Sequence, residues 1–262
     1  MSEAAARNIL LSLAYDGSRF HGWQAQPGLR TVQGELQTAL QRLLGHPVSL
    51  VGASRTDAGV HALRQCANFH TTSPVPTENI ARALPHRLPE DMALVHLAEA
   101  PLDFHATRDA QCKLYRYRIL RGGVAPAASQ RFGHAMHFWA PLDVDRMAEA
   151  AARLVGTHDF AGFATAGAPR LTTVRTIMHA GVTARGAELR VDFIGDGFLY
   201  NQVRNMVGTL LEIARGRWPV ERIGEILAVR DRRLAGPTAP AHGLCLRWIR
   251  YGPIFREAGD AA

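Results

Sequence analysis

Apolar positions recur along this chain with two periods, and the switches between them mark out the elements. Ile9 to Tyr15 is a short apolar run closed by Asp16-Gly17, the pattern of a buried strand entering a turn. Thr31 stands as a helix N-cap, and Val32, Leu36, Ala39, Leu40, Leu43 and Leu44 follow at helical spacing up to Gly45. Pro47 to Ala53 and Gln65 to Thr71 predict two strands separated by the loop Ser54 to Arg64. Thr77 to His86 predicts a second helix and Ala93 to Ala98 a fourth strand, so the order is βαββαβ.

A similar order recurs in the second half. Lys113 to Leu120 reads as a strand, Val144 to Val155 as a helix, and Thr173 to Ala184 and Glu188 to Ile194 as strands. Phe198 to Arg215 then predicts a long one-sided helix, with Leu199, Val203, Met206, Val207, Leu210, Leu211 and Ala214 on its apolar stripe, and Leu244 to Ile249 a closing strand. The fold expected is α+β, two ferredoxin-like βαββαβ units whose antiparallel sheets carry helices on one face and join around a central catalytic cleft. The Gly- and Ala-rich stretch Arg121 to Gln130 is the best linker, and the domains are placed at residues 1–110 and 111–262. Asp231 to His242, with Pro237 and Pro240, reads as a surface loop.

Composition adds three constraints. No apolar run approaches the roughly 20 residues of a membrane span, and the N-terminus lacks a basic start followed by an apolar stretch, so a soluble cytoplasmic protein is expected. Cys66, Cys112 and Cys245 are too widely spaced for a disulfide framework or a thiolate site, and the pair His134 and His137 has no further ligand nearby, so no metal is expected. The net charge is +7, and Lys113 is the one lysine among 30 cationic residues. Arginine forks grip phosphate and stack on bases, which suits a nucleic-acid partner, although a bias toward arginine codons accounts for the count equally well.

The most informative segment is Gly52-Ala53-Ser54-Arg55-Thr56-Asp57-Ala58-Gly59-Val60-His61-Ala62. It sets an arginine, a hydroxyl and a carboxylate in a loop between two predicted strands, where catalytic groups tend to sit. Taken alone, Asp-Ala-Gly is better explained as a turn in which the aspartate bonds its own backbone. The whole string from Arg55 to Ala62, however, is similar to the active-site signature of the tRNA pseudouridine synthase A family. Similarity continues at Tyr15-Asp16-Gly17 through Gly22-Trp23-Gln24, at Asp103-Phe104-His105-Ala106, at Tyr115-Arg116-Tyr117 and at Val203-Arg204-Asn205-Met206-Val207-Gly208, so it runs from about Leu10 to Ile249. Ser54 departs from it, standing where the family usually has glycine.

The resemblance implies an isomerisation in which uracil is cut from its ribose at N1, turned and rejoined through C5. Such a reaction needs no cofactor and no metal. It gives Asp57 the part of a nucleophile that adds and leaves again. Arg204 becomes the charge partner that keeps the carboxylate ionised in a base-sized pocket. Tyr115 matches the family's active-site tyrosine, whose ring can stack on the extruded uracil and whose hydroxyl can help remove the C5 proton; alternation alone leaves Tyr115 and Tyr117 equal, on one strand face. Arg55 is the candidate to fill the space left by the extruded base or to contact phosphate, a salt bridge to Asp57 being as good a reading. Trp23 and His61 are read as structural. The family further implies a homodimer acting on uridines 38 to 40 of the tRNA anticodon stem-loop. On the residues alone, a non-catalytic RNA-binding module and a synthase with another RNA target remain open.

Overall fold

The computed structural model describes residues 5–123, 134–165 and 172–252. Most of the expected linker, Arg121 to Gln130, lies outside the described residues. Numbered in chain order, the strands are β1 (Arg7–Tyr15), β2 (Val51–Gly52), β3 (His61–Thr71), β4 (Met92–Ala100), β5 (Cys112–Arg121), β6 (Met136–Phe138), β7 (Gly156–Asp159), β8 (Val174–Arg185), β9 (Glu188–Gly195) and β10 (Leu244–Arg250). The helices are α1 (Val32–Leu44), α2 (Thr77–Ala83), α3 (Val144–Ala152), α4 (Gln202–Ala214) and α5 (Arg222–Val229). Two compact units result, Met1–Gln111 with Leu246–Ala262, and Cys112–Cys245. None of the helices among the described residues is long and apolar enough to cross a membrane.

In the first unit the strands run β4-β1-β3-β10, with β2 on β3, and β1 pairs antiparallel with both β3 and β4. Strand β1 is buried on both faces, which explains its nearly continuous apolar run. The polar residue Asn8 on this strand is fully employed: its amide donates to the carbonyls of Pro101 and Phe104, each at 2.9 Å, and its oxygen accepts from Asn68 at 2.9 Å. The Asp103-to-Ala106 stretch is thereby tied to the sheet, and Phe104 packs edge-on against Tyr251 at 5.1 Å. The strand expected over Pro47 to Ala53 shrinks to two residues. Side-chain amides of Gln37 and Gln33 on α1 take the carbonyls of Val48 and Leu50, at 2.9 and 3.1 Å, so these do not join a ladder. Helix α2 stops at Ala83 rather than His86 because Pro85 has no N–H to continue it.

In the second unit the strands run β5-β9-β8-β7. Facing pairs such as Tyr115 with Phe193 and Tyr117 with Val191 make the core side, and Arg116 with Asp192 the polar side. The expectation of purely antiparallel sheets is corrected here: β6 runs parallel to β5, so the sheet is mixed. Strands β6 and β7 and helix α5 escape the sequence reading because they are short, and Gly224 interrupts the last. The long helix begins at Gln202, not Phe198, because Asn201 takes a left-handed backbone with φ +58°.

The segment Asp231 to His242 is exposed at Arg233, Pro237 and His242, as a surface loop would be, but it is also packed inward. Ala235 and Ala239 are buried, and the chain lies directly on α4, where a Cβ on Gly208 would collide with the Pro237 carbonyl and one on Gly236 would meet the Gly208 backbone at 2.6 Å. Only glycine at both positions permits so close an approach.

Candidate active site

Asp57 lies half-buried on the loop between β2 and β3, and that loop is held from one side by the residues that follow β1. Tyr15, at the end of β1, shares a buried 2.8 Å hydrogen bond with the Thr56 hydroxyl. Trp23 N–H donates to the Thr56 carbonyl at 3.0 Å, and Gly59 N–H to the Phe20 carbonyl at 3.3 Å. Gly22 sits at φ +85°, with its Cα so near this strand that a Cβ would fall 2.6 Å from the Thr56 oxygen. Trp23 is 1% exposed, and its indole fills the space a side chain at Gly52 would need. His61 is buried, its Nδ1 accepting the Gly17 N–H at 3.1 Å. Trp23 and His61 thus build the loop. The turn over Asp57 itself closes through Val60 N–H donating to the Asp57 carbonyl at 3.1 Å.

Arg55 is exposed on the same loop and, among the described residues, has no hydrogen-bond or ion-pair partner. The salt bridge to Asp57 that sequence allowed is not formed.

In the second unit, Tyr115 and Tyr117 share the core side of β5, as alternation requires, but their surroundings separate them. Tyr117 is fully buried, and its hydroxyl donates to the Pro240 carbonyl at 2.8 Å; burial pushes that phenol well above the usual tyrosine range. Gly243 abuts the same ring. Tyr117 is therefore an anchor for the strap laid along α4. Tyr115, 5% exposed, meets Phe198 edge-on with centroids 5.2 Å apart and planes at 83°. Phe198 carries no signal in sequence beyond opening a predicted helix.

Arg204 is on the first turn of α4, half-buried. Its Nε donates to the Ala239 carbonyl at 2.8 Å, its Nη1 to Asn201 Oδ1 at 2.8 Å, and its own carbonyl accepts from Ala239 N–H at 3.1 Å. The strap that supplies Ala239 is fixed in turn by buried polar groups of the helix. Asn205 Oδ1 accepts from Thr238 at 2.7 Å and from Arg232 at 2.9 Å, and Thr209 accepts the Gly236 N–H at 2.9 Å. Such a satisfied network is rigid, and breaking one member strands the others. The two consecutive carbonyls Ala239 and Pro240 are gripped by Arg204 and Tyr117, which ties β5 and α4 to one piece of backbone.

Comparisons with known proteins give the family. A family model described as tRNA pseudouridine synthase matches residues 12–108 and 150–252. The protein named tRNA pseudouridine synthase A of Moorella thermoacetica is 47% identical over 245 residues, covering 93% of this chain and 99% of that one. Its namesake in Acetivibrio thermocellus is 42% identical over 94% of this chain and all of the other, and that of Halalkalibacterium halodurans 44% identical over 91% and 90%.

Proposed function

The chain belongs to the tRNA pseudouridine synthase family, and we propose that the uridines it isomerises are those at positions 38, 39 and 40 of the tRNA anticodon stem-loop. The reaction breaks the bond from N1 to the ribose C1′, turns the uracil, forms a bond from C5 to C1′, removes the C5 proton and leaves one proton on N1, so that atoms balance with no second reagent.

The family resemblance gives Asp57 the part of the carboxylate that adds and leaves, and Arg204 the part of keeping it ionised, since desolvation in a base-sized pocket favours the inert protonated form. The Tyr115 ring stacks on the extruded uracil and its hydroxyl assists at C5. Arg55, exposed and unpaired, takes the space the base vacates or the phosphate beside it. The observation that carries this reading is the string Arg55 to Ala62 on a loop held by the Tyr15 hydroxyl at the Thr56 side chain and by backbone bonds to Phe20 and Trp23, with Asp57 half-buried.

The finer architecture belongs to the same proposal: each unit is a ferredoxin-like fold, supported in the first by β4-β1-β3 with β2 beside β3 and in the second by the run β5-β9-β8. The boundary near residue 110, a homodimer and a cytoplasmic location complete it, the last two supported by the family resemblance. A surplus of arginine suits the phosphates of a whole tRNA, so binding should weaken steeply with salt.

Mapping pseudouridine in tRNA and ribosomal RNA after incubation with the protein tests the assignment. New pseudouridine at 38, 39 or 40 is expected, and modification confined to ribosomal RNA or to other tRNA positions overturns it.

A further inference from the structure

Asparagine at a helix N-cap ordinarily has an extended backbone and accepts a hydrogen bond from an N–H of the first turn. Asn201, the N-cap of α4, does neither. Its backbone is left-handed, with φ +58° and ψ 5°, and its side chain makes no capping bond. Among the described residues only Arg230 shares a positive φ without being glycine, and Arg230 stands at a helix C-terminus, where a left-handed residue is ordinary. At the opposite end of a helix the same conformation is a strain the surroundings must enforce, and such strain gathers at functional sites.

The amide shows where that strain is used. Asn201 Oδ1 accepts from Arg204 Nη1 at 2.8 Å, and Nδ2 donates to Thr165 Oγ1 at 3.2 Å. Thr165 is held in place by its own N–H on the Tyr200 carbonyl at 3.0 Å. Arg204 Nε is bound to the Ala239 carbonyl at 2.8 Å, so the guanidinium is held from two directions, at Nε on one side and at Nη1 on the other. A guanidinium is planar, and two in-plane bonds fix the direction of its whole fork. Had Asn201 been extended and capping, its oxygen would be spent on a backbone N–H instead.

We propose that Asn201 is a positioning residue for Arg204, giving up its cap and an ordinary backbone conformation to aim the arginine's fork. The proposal rests on the catalytic role of Arg204 set out above. Asn201→Gly is the decisive variant, because glycine adopts the left-handed conformation freely while losing the acceptor. The expected result is a fall in kcat of about 10- to 100-fold, the scale of misplacing a catalytic group by about an ångström, with KM for tRNA held near wild type. The acidic limb of the kcat profile moves to higher pH, since a poorly aimed guanidinium favours the ionised carboxylate less. A role in folding alone moves neither the split between kcat and KM nor that limb. Thr165→Val, which leaves Asn201 in place and removes its steadying partner, gives the same signature more weakly and serves if the glycine variant folds poorly.

Arg204→Ala, assayed alongside, separates two kinds of failure. If it turns over like wild type, the catalytic reading of Arg204 fails and Asn201 has nothing to aim. If it is slow while Asn201→Gly keeps the wild-type kcat and acidic limb, Arg204 stands and the positioning inference is overturned. Combining the two substitutions should add no further loss of kcat to that of Arg204→Ala.

Discussion

The hydroxyls of Tyr15 and Thr56 lie 2.8 Å apart in the buried interior, 41 residues distant in sequence and one residue before Asp57. The bond joins the end of a core strand to the loop that carries the Asp57 carboxylate, beside the backbone bonds from Trp23 to Thr56 and from Gly59 to Phe20. Tyr15→Phe strands the Thr56 hydroxyl without a partner, a loss of about 1–3 kcal/mol. A midpoint shift in urea should report that loss, and single-turnover kinetics should show slower isomerisation with tRNA affinity kept. Thr56→Val made on top of Tyr15→Phe should cost little more, because the pair is then apolar on both sides. Additive losses would mean the two hydroxyls act separately.

Glycines in two helices make opposite predictions. Alanine is the better helix former by roughly 1 kcal/mol, yet at Gly208 its methyl would collide with the Pro237 carbonyl, lifting the strap that holds Arg204. Gly208→Ala should therefore destabilise by about 1–3 kcal/mol and slow turnover. At Gly224, on α5, an added Cβ meets nothing within 4 Å, so Gly224→Ala should stabilise by about 0.4–1 kcal/mol and leave activity alone. Thermal melts of the two variants decide it, and a stabilised Gly208→Ala protein would contradict the close approach.

Glu188 sets a pH dependence on the polar side of the second unit's sheet. The Arg118 guanidinium, bonded to it at 2.9 and 3.0 Å, and then Arg190 hold its carboxyl at about 2, against an ordinary 4.5. Because the folded value is the lower one, the unfolded chain binds the extra proton first. The stabilisation is complete above about 4.5 and is lost as pH falls toward about 2. In urea midpoints measured across that window, wild type should fall more steeply than Glu188→Gln, the two converging at the acid end. Parallel curves would remove Glu188 from the acid response.

What sequence disclosed and what it hid follow from the range of the interactions. The Asp57 loop was legible because its pattern is local, one contiguous string from Arg55 to Ala62. Strand β1 and helix α1 were legible for the same reason, their apolar periods and the Thr31 cap lying within a few residues. The strap over α4 was not. It reads as a Pro-containing loop, and its order comes from Thr238 bonding Asn205, 33 residues away, and from two glycines whose contact no local pattern shows. The left-handed turn at Asn201 was hidden because Leu199 and Val203 carry the apolar period straight through it. The strand expected before Ala53 failed because Gln33 and Gln37, polar positions in a helix pattern, reach across to take its carbonyls.

The central claim is that Asp57 is the nucleophile of a uridine isomerisation, and release of tritium from tRNA labelled at C5 of uridine tests it most directly. Wild-type protein should release the label, and Asp57→Asn should bind the same tRNA while releasing none. Release by Asp57→Asn at the wild-type rate would contradict the assignment of the carboxylate, and tight binding by wild type with no release would contradict the activity on that tRNA altogether.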